Sequence, residues 1–498
     1  MNYTSTRNNR LSVSASFAIA NGISAEGGLF VPETIPQTDE AFLASLAPLS
    51  YTERARKILP LFLTDYTEEE LKAYTAAAYG SRFEGPAPAP VTPLHDNVSV
   101  LELWHGPTCA FKDMALQLLP HLLTGAAKRV LQGKESVILV ATSGDTGKAA
   151  LEGFKDVAGT RILVFFPDKG VSPMQKLQMT TQEGNNVGVC AIEGNFDDAQ
   201  TGVKAIFTDA GVKERLLKNN MCFSSANSIN WGRRVPQIVY YFSAYADLLA
   251  KGAIMNGDKI NFCVPTGNFG NILAGWYARR MGLPVNKLIC ASNENDVLTE
   301  FLTTGRYNRR RPFHTTVSPS MDILISSNLE RLIFHLLGND SDETNRLFAA
   351  LKENGEYTVS DALLKEIKAC FAAGCCNDDE TKAAIKETYR AHGYLCDTHT
   401  GVAVRVYEAY RAAGDATPSV IVSTASPYKF SKAVLGALTD GNFAAENEFD
   451  MVSELETLTG MPAPAPLKSL KGKTPRFTNV CAQSEMEAQV YGLLGIKD

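Results

Sequence analysis

From about residue 136 onward, short continuous apolar runs alternate with helix-period stretches, and a polar or glycine-rich loop usually separates the two. The runs fall at 136–141 (SVILVA), 161–166, 186–192, 260–265, 287–292 and 419–424. Each is four to eight residues long and rich in Val, Ile and Phe, as expected of strands buried on both faces rather than on one. Residues 174–182, 197–209 and 272–281 carry helical spacing between them. Strands that alternate with helices predict parallel α/β sheets. Two sheets are expected, because the runs within 136–192 and within 260–292 are separated by a long helical segment. Ligands of such sheets sit outside the carboxyl ends of the strands, where the loops of this chain fall.

Proline punctuates the pattern at GPAPAP, residues 85–90, and at MPAPAP, 461–466. Such runs are stiff and extended, so they read as connectors. The expected organisation is a mainly helical N-terminal domain over 1–95, with one helix opening at Glu68, and a smaller α/β domain over 135–235. A larger α/β domain combines 96–134 with 236–498 and includes the C-terminal tail. The length of 498 residues and the apolar fraction of 45% accommodate cores of this size. The formal charge of −6 argues against a general nucleic-acid or membrane-surface binder. Ten scattered cysteines without a CxxC pair fit a reducing compartment and neither a zinc site nor a disulfide framework. No apolar run reaches the roughly eighteen residues of a membrane helix, so a soluble chain is expected.

Three loops carry candidate chemistry. PTGNFGN, 265–271, lies between a predicted strand and a predicted helix, and its N–H groups and helix terminus suit a phosphate. A tight turn with no ligand is the alternative. TSGDTGK, 142–148, has the same placement but fails as a nucleotide-binding P-loop. Only two residues separate Gly144 from Gly147, and Ala149 follows Lys148. Its hydroxyls and N–H groups suit a carboxylate or a ring hydroxyl. In HGPTCAFKDMALQ, 105–117, Lys112 stands beside a mostly apolar run; Asp113 is expected to start a helix and Pro120 to bend it. Arg309 to Arg311 read as a solvated loop, and His399 reads as a capping residue or an acid–base group. Zinc- and serine-hydrolase motifs are missing. A lysine and a phosphate cup in an α/β chain are the parts of a Schiff-base enzyme that uses pyridoxal phosphate.

These residues resemble the threonine synthase family. The matching stretches are YTSTR (3–7), GGLFVP (27–32), HGPT with AFKD (105–113), ATSGDTG (141–147), SANSIN (225–230), PTGNFGN, and SPSMDIL with SNLER (318–331). They run from the first residues to about Lys432. The resemblance implies a fold-type-II pyridoxal-phosphate enzyme whose larger domain binds the cofactor. It also implies conversion of O-phospho-L-homoserine and water into L-threonine and phosphate. Lys112 is then the Schiff-base lysine, and Gly267, Asn268, Phe269, Gly270 and Asn271 form the phosphate cup. Thr424 meets the pyridine nitrogen, with Ser423 and Ser426 close by, and Asp145 meets the cofactor ring edge. Ser143, Thr146 and Asn227 are expected to bind substrate, with Lys148, Arg233 and Lys429 as cationic partners for its phosphate. No metal is expected. The family match at residues 3–7 leaves no room for a transit peptide, so a cytoplasmic monomer or homodimer is expected, without nucleic-acid or membrane partners.

Overall fold

The computed structural model describes residues 1–142 and 144–496. Two parallel sheets dominate it. The larger has six strands in the order Phe371–Cys375, Val285–Ser292, Ile260–Pro265, Ser419–Ser423, Val98–Glu102 and Val91–His95. All neighbours are parallel except the last pair, a hairpin. The smaller has five parallel strands in the order Val480–Cys481, Val187–Ile192, Thr160–Pro167, Glu135–Ala141 and Met221–Ser224. The strands of both sheets that read as continuous apolar runs are buried on both faces, so their sequences lack alternation.

Helix Trp231–Ala250 joins the two sheets in sequence and is buried along almost its whole length. The N-terminal region packs against it. Helices Ala15–Asn21, Glu40–Leu46, Tyr51–Ile58 and Glu68–Tyr79 surround a small antiparallel sheet of Asn8–Val13, Tyr3–Ser5 and Phe30–Pro32. The last of these helices begins where Thr67 and Glu70 form a reciprocal capping box. Tyr3 sets its ring edge against Trp231, and Trp231 in turn meets Tyr277 on helix Gly270–Arg280. The N-terminal region therefore backs the helix that follows the PTGNFGN loop. Among the described residues, no helix is long and apolar enough to cross a membrane.

The expected domain limits need correcting in three places. Strand Val91–His95, placed in the N-terminal domain, is the edge of the large sheet. Helix Trp231–Ala250 runs straight through the boundary at 235 and 236. The tail, assigned to the larger domain, crosses back: Cys481 pairs with Ile192, and helix Met486–Leu494 shares a core with Val137, Leu163 and Phe165. A two-residue strand has no periodicity to announce it, which is why the sequence hid this return. Pro120 does not bend one helix either. The helix from Asp113 ends at Leu116, and Pro120 sits in the first turn of a new one, Leu119–Val130, where a missing N–H costs nothing.

Helix Asp145–Phe154 meets helix Asp113–Leu116 at Gly153, where an added Cβ would overlap the Leu116 carbonyl oxygen. This contact sets Asp145 relative to Lys112. Gly153→Ala is expected to lower unfolding free energy by roughly 1–3 kcal/mol, as overpacking against fixed backbone does. Urea denaturation of the two chains checks it, and equal midpoints would show that the helices can separate without strain.

Candidate active site

Four loops converge at the carboxyl ends of the strands. Strand Val98–Glu102 leads into HGPTCAFKD, strand Ser419–Ser423 into Thr424, strand Ile260–Pro265 into the glycine loop, and strand Glu135–Ala141 into Asp145. The Phe111 N–H donates to the Thr424 carbonyl at 2.8 Å, and Ala110 bridges Ala425, which splices the lysine loop onto the end of the central strand. Lys112 then opens the helix Asp113–Leu116 as its N-cap residue.

Among the described residues, the Lys112 amine has two close polar neighbours. Its Nζ donates to Ser320 Oγ at 3.4 Å and lies 4.0 Å from Asp145 Oδ2, beside the Phe111 ring. Burial pushes this amine down to about 8; Asp145 opposes the shift, and Lys429 and Arg233 add to it. Burial alone would raise the Asp145 carboxyl, but the charges of Lys429 and Lys112 outweigh it and hold it well below the usual carboxylate range. Lys429 Nζ sits 2.6 Å from Asp145 Oδ1 and donates to the Thr108 carbonyl at 2.8 Å. Thr108 also donates twice to Asp113, through its N–H and its hydroxyl, each at 2.8 Å.

Ser320 is fixed from behind. Its backbone N–H donates to His399 Nε2 at 3.2 Å, and His399 Nδ1 faces Asp397 Oδ2 at 2.7 Å. Since Nε2 accepts, the imidazole proton lies on Nδ1 and points to Asp397. Asp397 is also the N-cap of helix Thr398–Ala412. His399 is thus part of a cap and a brace for Ser320 at once.

The glycine loop has the makings of an anion cradle. Phe269 adopts the left-handed conformation at φ 58°, and helix Gly270–Arg280 starts without a side-chain cap. Among the described residues, the N–H groups of Gly267, Asn268 and Phe269 donate to no protein acceptor. A Cβ at Gly267 would stand 2.7 Å from the Ser320 carbonyl, and one at Gly270 would stand 2.6 Å from Arg234 Nη1. Only glycine lets the backbone approach that closely. Ser326 Oγ holds the Gly267 carbonyl at 2.8 Å, and Asn328 Nδ2 holds the Asn268 carbonyl at 3.0 Å. Both carbonyls are thereby tied back. Asn271 accepts from Tyr240 and Tyr241, and its buried Nδ2 has no partner.

The remaining expected site residues divide. Thr424 is buried, and its hydroxyl makes no hydrogen bond among the described residues. Arg233 lies near enough to Lys112 to depress it; one Nη donates to the Ala226 carbonyl at 3.1 Å, while its buried Nε has no partner. Thr146 is half-buried in the turn after Asp145, and Asn227 is exposed in the loop before helix Trp231–Ala250. Lys148 is turned elsewhere, to Gln182 at 2.5 Å and Glu152 at 3.6 Å. Lys429, expected near substrate phosphate, is committed to Asp145 and Thr108. Ser143 lies outside the described residues. Arg311 pairs with Asp296 and Glu300, away from these loops. Sequence reasoning missed the contacts of Ser320 and His399, which are 79 positions apart and carry no joint motif.

Comparison with known proteins assigns the family. Three family models match in order: "Threonine synthase N terminus" over residues 2–79, "Pyridoxal-phosphate dependent enzyme" over 84–354, and "Threonine synthase, C-terminal" over 400–489. Threonine synthase of Pseudomonas aeruginosa is 42% identical over 436 residues, covering 87% of this chain and 90% of that one. Human threonine synthase-like 1 is also 42% identical, over 439 residues and 86% of this chain, but the match spans only 58% of that protein's length. The PLP-bound threonine synthase structure from Brucella melitensis aligns at a TM-score of 0.88 and 38% identity, over 99% of both chains. The yeast threonine synthase structure aligns at 0.89 and 33%, over 100% of this chain and 99% of that one.

The cofactor is pyridoxal phosphate. The residues fit it: undonated N–H groups and a helix terminus suit its phosphate, the buried Thr424 hydroxyl is free for a ring atom, and the Lys112 amine is depressed toward its reactive form. Gly267→Ala should push the loop off Ser320 and weaken cofactor retention at least about tenfold. Equilibrium dialysis followed by visible absorption checks this, and unchanged retention would exclude the loop from phosphate binding.

Proposed function

The chain belongs to the threonine synthase family, and from that premise we propose that it converts O-phospho-L-homoserine and water into L-threonine and phosphate. One observation carries the reading: a depressed lysine amine, its side chain 12% exposed, bonds Ser320, whose carbonyl lies against Gly267 of a glycine loop with undonated N–H groups among the described residues. The family matches at both ends of the chain separate it from dehydratases and β-replacement enzymes, which share only the central kit.

Pyridoxal phosphate, when bound, supplies an electron sink for the charge left as protons depart from the substrate carbons. Lys112 would be the residue that holds it. Lys112 Nζ, once free, would be the nearest base for the Cα proton, with Ser320 Oγ at 3.4 Å to orient it. A second proton leaves Cβ as phosphate leaves Cγ. The two protons return at Cγ and Cα, and water adds its hydroxyl at Cβ while its other proton goes with the phosphate. Lys112 makes the return at Cα. Asp145 stays ionised beside it, at the ring edge, because two amines hold it so. Thr424 would offer its neutral hydroxyl to the pyridine nitrogen of the bound cofactor, a partner that would keep the sink mild. Arg233, with an unpartnered Nε, is the cation best placed for the leaving phosphate. Thr146 and Ser143 remain the proposed partners of the substrate carboxylate, and Asn227 a further substrate contact.

Purified chain mixed with O-phosphohomoserine should release phosphate and threonine in equal amounts, with the visible band of bound cofactor present. Lys112→Ala should abolish turnover and leave the fold intact by circular dichroism. A cofactor band without threonine would instead favour a dehydratase or replacement enzyme, and the lack of any band would leave a non-catalytic binder. The pH profile follows from the amine. Lys112 accepts a proton only when neutral, so kcat should climb as pH rises toward about 8 and fall roughly tenfold per unit below it. A flat profile there would remove Lys112 as the base.

A further inference from the structure

Two lysines share one carboxylate at the centre of the site, and they do so unequally. Lys429 reaches Asp145 Oδ1 at 2.6 Å, whereas Lys112 stands 4.0 Å from Oδ2 and bonds to Ser320 instead. The Lys429 side chain is only 2% exposed, and it spends a second proton on the Thr108 carbonyl at 2.8 Å. An amine so placed is poorly disposed to receive a substrate phosphate. We propose that Lys429 is a positioning residue for Lys112: by holding Asp145, it denies Lys112 the carboxylate that would otherwise lock it as an ammonium ion. This rests on the reading of Lys112 as the cofactor lysine and base.

The other charges around Lys112 agree with this role. Arg233, from helix Trp231–Ala250, and Lys429, from the turn Pro427–Phe430, both repel a proton on Lys112. Asp145, from helix Asp145–Phe154, attracts one, and Asp113 on Lys112's own helix is engaged by Thr108. Asp145 itself faces His399, and Gln175 Nε2 donates to it at 3.5 Å. Without Lys429, the repulsion from one neighbour disappears and Asp145 loses its nearest cation. Both changes favour a charged Lys112. Asp145 would then be left with Lys112 as its only close amine, a short rotation away. Lys429→Arg keeps the charge and the donors, while Asp145→Asn removes the attraction and acts in the opposite direction.

The test reads Lys112 directly. The full chain, stripped of cofactor, is labelled with trace acetic anhydride across a pH series, and acetylation of Lys112 is followed by mass spectrometry. In Lys429→Met the midpoint should rise by at least about one unit, which makes the amine at neutral pH about tenfold less reactive. Lys429→Arg should restore it, and Asp145→Asn should lower it. In the holoenzyme, the acid limb of kcat should move with the Lys429→Met midpoint. An unmoved midpoint in that variant, or a rise in KM for O-phosphohomoserine with kcat unchanged, would overturn the proposal and make Lys429 a substrate ligand. Should Lys429→Met fail to fold, Asp145→Asn decides, since an unmoved midpoint there would mean that no carboxylate governs Lys112. A chain that shows these shifts but makes no threonine would sink the proposed activity and leave this inference standing.

Discussion

The buried ion pair between Asp145 and Lys429 is the constraint on which the site depends. Breaking a buried pair by removing one partner typically costs about 3–5 kcal/mol, because it leaves a charge without compensation. The pair therefore fixes how three segments approach one another. Asp145 begins the helix after the first strand of the small sheet, Lys429 follows the central strand of the large sheet, and Thr108 belongs to the loop that carries Lys112. None can shift by an ångström without stretching the pair or the bond to the Thr108 carbonyl. The lysine loop is pinned by electrostatics, and the Gly153 contact pins its helix again by packing.

The glycine loop is held by a longer chain of contacts that begins at the N-terminus. Arg7 forks onto both oxygens of Glu330, and Thr6 donates to the same carboxylate at 2.6 Å. Two positions before Glu330, Asn328 holds the Asn268 carbonyl of the glycine loop, and Arg331 reaches the Phe30 carbonyl at 3.0 Å. The segments YTSTR, GGLFVP and SNLER are thus three faces of one support. Arg7 and Glu330 are 323 positions apart, so the N-terminal segment and the cradle's support are joined by contacts that no local stretch of sequence contains.

Legibility followed the physics of each element. Strands buried on both faces were visible as apolar runs, and Ile260–Pro265 and Glu135–Ala141 fell within a residue of expectation. The glycine loop was visible because close backbone approach needs glycine, and Gly267 and Gly270 do face a carbonyl and a guanidinium. Contacts between distant side chains were not visible. Nothing in SPSMDIL announces that Ser320 will stand between Lys112 and His399. Nothing in SPYKF tells whether Lys429 faces substrate or another side chain. Lys148 shows the converse: it follows a conspicuous glycine, yet its ammonium goes to Gln182 and Glu152, partners that no local motif announces. The returning tail strand was hidden for a simpler reason, since two residues carry no period.

Lys112 and Asp113, adjacent in sequence, end with separate tasks, and the contrast between Asp113 and Asp145 shows why. Both carboxylates are buried. Burial pushes Asp113 up to about 6, because the N–H and hydroxyl of Thr108 and the charge of Lys429 do not offset the loss of water. Asp145 moves the other way because it has two amines. A carboxylate with dipoles for partners serves as a clamp: Asp113 folds HGPT back over its own helix, and a Cβ at Gly106 would collide with it. A carboxylate with cations for partners sets the local field. The lysine between them is less neutralised than two adjacent carboxylates would suggest, because the first is engaged by its own loop and the second is shared with Lys429.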